Sequence, residues 1–502
     1  MPKIQEYTTL AAIDLGSNSF HLQVGRVDGD QLFYLDAHKE SVRLAGGLTA
    51  AKKLDAASQN RALACLSRFG ERLKGMPPGA VRAVGTSALR VAKNAPAFLE
   101  RAKAALGFDI DIVAGREEAR LIYLGVSHSL PLSTEPQLVI DIGGGSTECI
   151  LGTGYEAHDR ESLRMGCVVF SNTYFKGGLI DKAAMKAAVT AARVEVQAVA
   201  HEFRRGLWQQ AVGSSGSARA MGEILFQNGV TDGAITADGL KWLRDRLVKA
   251  GDLARLELPG LKADRKPVLA GGTAIMSGLF EELGIETMTV AQGAMREGIL
   301  WDLLGRVHDR DIRDVTITQF MRRYHVDTVQ AQRVERLASW LFMQLTAGDA
   351  DDNGERLRWL IWAARLHEIG INIAHSGFHK HGAYILENAD MPGFSRRDQA
   401  RLAKLVRASR GGLDKLGYAA DDDAWPLILC LRLAVLFSVS RVDVELPGLA
   451  LENLGGGACR LSLAKSWLAA NPLSQAALEG ELKAWQGVLP AVRLVELEAR
   501  KS

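Results

Sequence analysis

Two strand-loop-strand segments, each with an aspartate near the end of its first strand, constrain the fold of this chain more than any other feature. In "LVIDIGGGSTECIL" (138–151) an apolar strand leads through Asp141 into three glycines, and the residues that follow alternate as in a second strand. The stretch "TLAAIDLGSNSFHLQVGRV" (9–27) has the same design around Asp14, 127 residues earlier. A repeat at this distance predicts two similar domains instead of a solenoid of short units.

The glycine loops are suited to binding phosphate, because residues without a Cβ let successive backbone N–H groups point at one anion. The Walker-type loop and the dinucleotide fingerprint both open a helix, whereas Ser146 and Thr147 lead into a strand. A plain hairpin turn would also use glycines. An aspartate before each of two such loops instead favours a phosphate site with a bridging divalent cation. Two further predicted loops, "VGSSGSARA" (212–220) and "VLAGGTAIM" (268–276), repeat the combination of glycine and hydroxyl residues.

Helices are predicted after each hairpin. Asn94 can cap a helix that has Pro96 in its first turn and ends at Gly107. The stretch "IMSGLFEEL" (275–283) ends similarly at Gly284. Hairpins mixed with helices indicate α/β domains that face each other.

From about residue 307 the sequence changes to long amphipathic helices. Residues 328–345 are typical, with apolar positions at Val329, Val334, Leu337, Leu341 and Leu345. The last 60 residues predict a small α+β piece with a helix near 474–486. The length of 502 residues suits roughly three or four domains. The predicted domains are 1–124, 125–306, 307–440 and 441–502.

Composition excludes several classes of function. A formal net charge of +3 is too small to indicate nucleic-acid binding, which needs a clustered basic face. No uncharged run approaches the roughly 20 apolar residues of a membrane span, and the start of the chain does not resemble a signal peptide, so we expect a cytoplasmic protein. Neither a disulfide framework nor a zinc ribbon is indicated by the five scattered cysteines, Cys65, Cys149, Cys167, Cys430 and Cys459.

Five stretches together resemble one known family. They are "AAIDLGSNSFHL", "AVGTSALR", "GREEARLIYLGV", "VIDIGGGSTE" and "LHEIGINIAHSGFHKHGAYILENADMPGF". In order and spacing they are similar to the exopolyphosphatase and guanosine pentaphosphate phosphohydrolase family, a branch of the actin-like superfamily. The resemblance implies an α/β fold of two actin-like (ribonuclease H-like) domains, followed by a mostly α-helical HD-like domain and the small α+β piece. Ser217 departs from the threonine common in the family but keeps the hydroxyl.

The resemblance also implies a site for hydrolysing a terminal phosphoanhydride. Glu118 matches the family's general base, and Arg90 is a candidate for neutralising phosphate oxygens. Asp14, Asp141 and Glu148 would hold Mg²⁺, directly or through water. The expected phosphate-binding residues are Ser17, Asn18, Thr86, Ser87, Gly143, Gly144, Gly145, Ser146, Gly213 and Gly216.

Other charged residues have simpler interpretations. Acids are favoured in the first turn of a helix, so a solvated helix start remains the preferred interpretation of Glu117. Arg43, Arg116 and Arg120 are expected to be surface charges.

The histidines near "LHEIG" resemble HD-type metal phosphohydrolases. Glu368 stands where that family has aspartate, and Val435 stands where the distal aspartate is expected. A metal site with one ligand missing and another altered is not expected to be a second catalytic centre. We interpret the segment as a degenerate HD-like domain, with three candidates for phosphate contact, His375, His379 and His381.

The favoured function is Mg²⁺-dependent release of terminal orthophosphate from inorganic polyphosphate, because a long helical extension suits a polymer. The alternative is hydrolysis of guanosine pentaphosphate, which presents the same kind of bond. A kinase with this fold and a non-catalytic sensor of guanosine polyphosphates are less favoured, the latter because Glu118 is present. By family resemblance a homodimer is expected.

Overall fold

The computed structural model describes residues 7–131, 133–307, 311–347, 354–413, 416, 423–455, 457–486 and 493–500. The chain divides into two compact units, Glu6–Asp311 and Ile312–Ser502. No helix among the described residues is long and apolar enough to cross a membrane.

The first unit begins with a five-stranded sheet in the order β3-β2-β1-β4-β5. The strands are β1 (Thr9–Leu15), β2 (Phe20–Asp28), β3 (Gln31–Glu40), β4 (Val81–Gly85) and β5 (Ile110–Ile112). The first three are antiparallel, and β4 and β5 run parallel to β1. The helices are α1 (Ala56–Arg72), α2 (Ser87–Val91), α3 (Ala95–Leu106) and α4 (Gly115–Ser127).

A second sheet of six strands has the order β10-β11-β9-β6-β7-β8. Its strands are β6 (Gln137–Ile142), β7 (Thr147–Thr153), β8 (Glu156–Leu163), β9 (Gln210–Ser214), β10 (Ile235–Thr236) and β11 (Thr287–Val290). The helices are α5 (Cys167–Tyr174), α6 (Lys182–Gln197), α7 (Ala200–Phe203), α8 (Ser215–Gln227), α9 (Ala237–Ala250), α10 (Leu269–Leu283) and α11 (Met295–Val307). Because β6, β7 and β8 are antiparallel while β9 and β11 continue in parallel, this sheet repeats the topology of the first.

The predicted hairpins and their internal repeat are therefore confirmed. Asp14 pairs with His21 across the first hairpin, and Asp141 pairs with Glu148 across the second. Strand β1 is buried on both faces, since Ile13 packs against the α1 and α3 side while its neighbour Ala12 belongs to the core of α4 and α11. Both aspartates are thus carried by central strands that the core holds in place.

Helices α4 and α11 pack against each other through glycine. A Cβ at Gly298 would lie 1.7 Å from the carbonyl oxygen of Leu121, and a Cβ at Gly125 would lie 2.0 Å from that of Ala294. Side chains at these positions would collide with backbone atoms, so only glycine permits this helix separation. The predicted domain boundary at residue 124 falls within α4.

Three local predictions need correction. The stretch 268–276 is not a loop but the start of the buried helix α10, whose Gly271 lets the chain approach Cys167 closely. The stretch 212–220 is a junction of β9 and α8, with Ser215 at a positive φ of 78°. Helix α3 ends at Gly107 as predicted, but Asn94 does not cap it, because its amide bonds to the backbone of Leu54 at 2.9 and 3.0 Å.

The second unit is mostly helical and has a small sheet in the order β12-β13-β14. Its first helices are α12 (Ile312–Arg323), α13 (Thr328–Leu345), α14 (Glu355–Leu366), α15 (Phe378–Asn388), α16 (Arg396–Ala408) and α17 (Trp425–Phe437). They are followed by β12 (Ala450–Gly455), β13 (Ala458–Ala464), α18 (Lys465–Ala470), α19 (Pro472–Gln486) and β14 (Arg493–Arg500). Leu451 and Leu461 of the sheet join the same core as Trp359 and Trp362 of the helices.

Two sequence expectations for this unit can be compared with the structure. Val329 is 62% exposed, contrary to the prediction, because it lies about 140° around α13 from the buried Val334. His367 is buried and its Nδ1 lies 2.6 Å from the carbonyl oxygen of Ala364, while Glu368 pairs with Arg441 at 2.7 Å. The degenerate HD-like interpretation stays a prediction.

Candidate active site

A small cavity of about 120 Å³ lies where the two hairpin loops of the first unit meet. A Cβ at Gly144 would lie 3.1 Å from the Cβ of Ser17, and one at Gly145 would lie 2.9 Å from the Oγ of Ser87. Glycine thus lets these segments lie close together, since a Cβ at either position would require its neighbour to shift. Eleven of the predicted site residues line the cavity, namely Asp14, Ser17, Asn18, Thr86, Glu118, Asp141, Gly143, Gly144, Gly145, Ser146 and Gly216.

Four predicted residues lie just outside this lining. Ser87 begins α2 directly after Thr86, and Gly213 is buried in β9. Glu148 lies buried on β7, where the Ser162 hydroxyl donates a hydrogen bond of 2.8 Å to its carboxylate. The fourth residue outside the lining is Arg90. The structure thus brings the predicted loops together, and the roles of these four residues stay predictions.

Arg90 is bound to Glu118 in this structure. Its Nη1 donates to the Glu118 carboxylate at 2.5 Å and also lies 3.0 Å from the carbonyl oxygen of Val113. Both side chains are largely buried. In this structure the guanidinium of Arg90 holds the carboxylate of Glu118, which lines the cavity. The expected role of Arg90 in neutralising phosphate oxygens stays a prediction.

The acids of the cavity are in a strongly perturbed environment. Burial, together with the charge of Glu118, raises the pKa of Asp14 to about 8. Burial raises the pKa of Asp141 to about 6, and burial with the charges of Glu118 and Asp141 raises that of Glu148. The Oδ1 atom of Asp14 is buried and has no hydrogen-bond partner among the described residues. Acids held together away from water favour either protonation or a bound cation.

A preformed metal centre is not found among the described residues. No group of three or more His, Cys, Asp or Glu side chains within them is arranged to hold a metal ion.

The structure contradicts the predictions for Glu117 and Arg120, which were expected to be exposed to solvent. Both are turned into the protein interior, where Arg120 binds Glu117 through two hydrogen bonds of 2.8 Å and also binds Asp302 of α11. The expectations of a solvated Glu117 and of a surface Arg120 were wrong. They failed because Arg120 is also bound by Asp302, which is far away in the sequence. Arg116 pairs with Glu161 near the surface, as expected for a surface charge.

A larger cavity of about 1010 Å³ adjoins the small one, and His21, Gly216, Arg219, Arg265 and Arg296 line both. Lys39 and Lys262 add further positive charge to the wall of the larger cavity, which also carries the acids Glu223, Asp232 and Asp264. These cations were not singled out from the sequence, since they come from separate elements and belong to no recognisable motif.

His21 shows how positive this junction is. Burial and the charges of Arg296, Lys39 and two further arginines lower the pKa of His21 to about 3. Its Nδ1 lies 3.4 Å from the guanidinium of Arg296. Lys39 forms an ion pair of 3.0 Å with Asp264 at the wall of the cavity. The arrangement is suited to a ligand with one phosphate in the small cavity and more negative charge in the large one.

Comparison with known proteins assigns the chain to a family. The sequence model of the Ppx/GppA phosphatase family matches residues 24–307, and that of the Ppx/GppA phosphatase domain III matches residues 312–482. The chain belongs to the Ppx/GppA phosphatase family. A guanosine-5'-triphosphate,3'-diphosphate pyrophosphatase of Pseudoalteromonas translucida (strain TAC 125) is 38% identical over 478 residues, which cover 94% of this chain and 95% of that protein.

Solved structures support the fold of this Ppx/GppA family member. An exopolyphosphatase-like protein matches with 22% identity and a TM-score of 0.55, over 61% of this chain and all of its own. An exopolyphosphatase from Cytophaga hutchinsonii ATCC 33406 matches with 24% identity and a TM-score of 0.54, over 59% of this chain and 98% of its own. Family membership confirms the predicted fold class of actin-like α/β domains followed by a helical region. It also confirms that the chain is a phosphatase-family hydrolase.

Proposed function

We propose that this protein hydrolyses guanosine pentaphosphate and releases its terminal 5'-phosphate. The observation that carries the proposal is the large cavity that adjoins the small phosphate-sized one and is lined by five cations and three acids. This net positive lining suits a nucleotide with phosphate at two positions. The relative named for this substrate is similar over nearly the whole chain. Because that similarity includes the helical region, the length of the extension no longer favours polyphosphate, which becomes the second candidate.

In the proposed reaction the terminal phosphate occupies the small cavity. Backbone N–H groups of the 143–146 loop and the hydroxyls of Ser17 and Thr86 hold its oxygens. A water molecule attacks the terminal phosphorus, the bond from phosphorus to the bridging oxygen breaks, and the leaving diphosphate end departs with its negative charge. Glu118 orients the water and accepts its proton. Arg90 keeps the Glu118 carboxylate directed into the cavity.

Mg²⁺ is the proposed cofactor. The residues fit a hard cation, since Asp14 has a buried oxygen without a partner among the described residues and the pKa values of Asp14 and Asp141 are raised by burial. Asp14 and Asp141 would hold the ion, with Glu148 behind them. Phosphate oxygens of the substrate would complete the coordination, as is usual for Mg²⁺. When bound, the ion would neutralise charge on those oxygens.

The decisive experiment compares kcat/KM of the purified protein for guanosine pentaphosphate and for inorganic polyphosphate, with phosphate release as the readout and no acceptor present. We expect the higher value for guanosine pentaphosphate. A higher value for polyphosphate would replace the first candidate by the second, and no phosphate release without an acceptor would favour a kinase.

A substitution tests the role of the large cavity. Arg219→Gln should raise KM for guanosine pentaphosphate about tenfold, because a hydrogen bond to a charged group contributes about 1.5–3 kcal/mol. The control is Arg204→Gln, which removes an exposed arginine that lines neither cavity. If both variants have the wild-type KM, the substrate does not contact this wall.

A further inference from the structure

A buried charged network lies behind the candidate active site. It consists of Arg82, Glu117, Arg120, Asp302 and Arg306. Asp302 accepts hydrogen bonds from Arg82 and Arg120, and from the Nε of Arg306 at 3.0 Å. Arg120 is in turn bound to both carboxylate oxygens of Glu117 at 2.8 Å. The side chains of Glu117 and Asp302 are only 3% and 2% exposed, so neither charge is solvated by bulk water.

The pKa values of the buried groups in this network are set by the charges of their partners. Burial alone would raise the pKa of Asp302, but the charges of Arg120, Arg82 and Arg306 hold it well below its usual range. Burial lowers the pKa of Arg82, which Asp302 and Glu117 partly counteract. Removing one partner of such a network leaves an uncompensated charge in the interior. A buried network of this kind adds little stability over apolar packing, but it fixes geometry.

The network joins three elements that each bring a side chain to the cavity. Arg82 lies on β4, the strand that leads to Thr86. Glu117 and Arg120 lie on α4, which carries Glu118. Asp302 lies on α11, which carries Arg296. The same ion pairs therefore fix the phosphate loop, the general base and a cation of the large cavity relative to one another.

Helix α4 has a particular need for such support. The residue before its first turn is Ala114, which has no side chain that could cap the free N–H groups. Glu118 lies in that first turn. An uncapped helix start frays easily. The pair of Glu117 with Arg120 lies within α4, and Arg120 links this turn to Asp302 of α11.

We propose that Arg120 and Asp302 are positioning residues for phosphoanhydride hydrolysis, and that they hold the first turn of α4 so that Glu118 faces the phosphate. The inference rests on the proposed function, in which Glu118 is the general base. Neither residue contacts the cavity. Their contribution is to the geometry of Glu118, and a loss of geometry lowers kcat more than it raises KM.

The test is a double-mutant cycle with Arg120→Lys and Glu118→Gln, measured on guanosine pentaphosphate under single-turnover conditions with enzyme in excess. Lysine keeps the charge but cannot bind both carboxylates through a planar fork. We expect Arg120→Lys to lower the single-turnover rate constant about tenfold, while the half-saturating enzyme concentration changes less than about twofold. In the Glu118→Gln background the same substitution should change the rate less than about twofold, because the group that it positions is absent.

Two further variants complete the design. Arg116→Lys alters a surface ion pair in the same helical turn and should leave the rate within about twofold of the wild type. Arg306→Lys weakens the network at its more exposed end and should lower kcat in the same way as Arg120→Lys but less, which keeps the test valid if Arg120→Lys does not fold.

The outcomes separate this proposal from the proposed function. Equal effects of Arg120→Lys in both backgrounds, or no effect in either, would overturn the positioning role while the wild type still hydrolyses guanosine pentaphosphate. An inactive wild type would instead overturn the proposed substrate, and the cycle would then be measured on polyphosphate. A Glu118→Gln variant with wild-type turnover would overturn both the base and its positioning.

Discussion

Replacement of Gly298 by alanine should impair both stability and turnover, because the new Cβ would lie 1.7 Å from the carbonyl oxygen of Leu121. Ordinary contact begins near 3.4 Å, so α4 and α11 must separate by about 1.7 Å. Overpacking costs about 1–3 kcal/mol, and the upper end applies here since the atom that is met belongs to the backbone. Alanine regains about 1 kcal/mol of helix propensity, so the net loss in the free energy of unfolding should be about 2 kcal/mol.

The same displacement of α4 should also move Glu118 and lower the rate of hydrolysis. Leu121 is one turn from Glu118 on α4, and a misplacement of about 1 Å at a catalytic group costs up to about 10² in rate. Urea unfolding measures the stability, and phosphate release measures kcat. The matched control is Gly480→Ala, also in a helix, where a Cβ meets nothing within 4 Å and alanine should stabilise by up to about 1 kcal/mol. A Gly298→Ala variant with wild-type stability would refute the packing argument, and one that loses stability but keeps kcat would show that this contact does not locate Glu118.

Three further predictions test the site. Glu118→Gln should keep the fold while lowering kcat by about 10² to 10⁴, and near-normal turnover would remove Glu118 from the mechanism. Asp141→Ala should abolish Mg²⁺-dependent hydrolysis and a chelator should silence the wild type, so that full wild-type activity in chelator would contradict the metal assignment. The isolated 6–311 fragment contains every residue that lines the two cavities and should still release phosphate from guanosine pentaphosphate. A folded but inactive fragment would mean that catalytic residues lie beyond residue 311.

The main lines of the fold were accessible from the sequence because they depend on local patterns. Period-two alternation after Asp14 and Asp141 identified both hairpins, and their equivalence predicted the duplicated sheets. Local patterns failed where glycine serves packing instead of a turn. Gly271 lies inside α10, where it lets the helix approach the backbone of Cys167, and the sequence around it does not distinguish this use from a loop.

Some residues of the candidate site could be predicted from local sequence motifs and others could not. The two glycine motifs predicted a phosphate site, and the family resemblance predicted the individual loop residues that line the small cavity. The cations of the large cavity and the partners of Arg120 do not, because each contact joins residues far apart in the chain. Asp302, for example, lies 182 residues from Arg120. Burial also changed the meaning of neighbouring acids, since Glu117 and Glu118 look alike in the sequence but face a structural network and a cavity respectively.

The cationic wall of the large cavity also has a kinetic consequence. The lining of this recess carries five cations against three acids in a chain whose formal net charge is only +3, and low-dielectric walls focus the resulting field. Capture of a polyanion is accelerated by such a field and slows as ionic strength rises. A product that has lost only its terminal phosphate still carries most of the charge that attracted it. Low salt should therefore speed substrate binding but slow product release. Turnover should be fastest at an intermediate ionic strength, where neither step is strongly slowed.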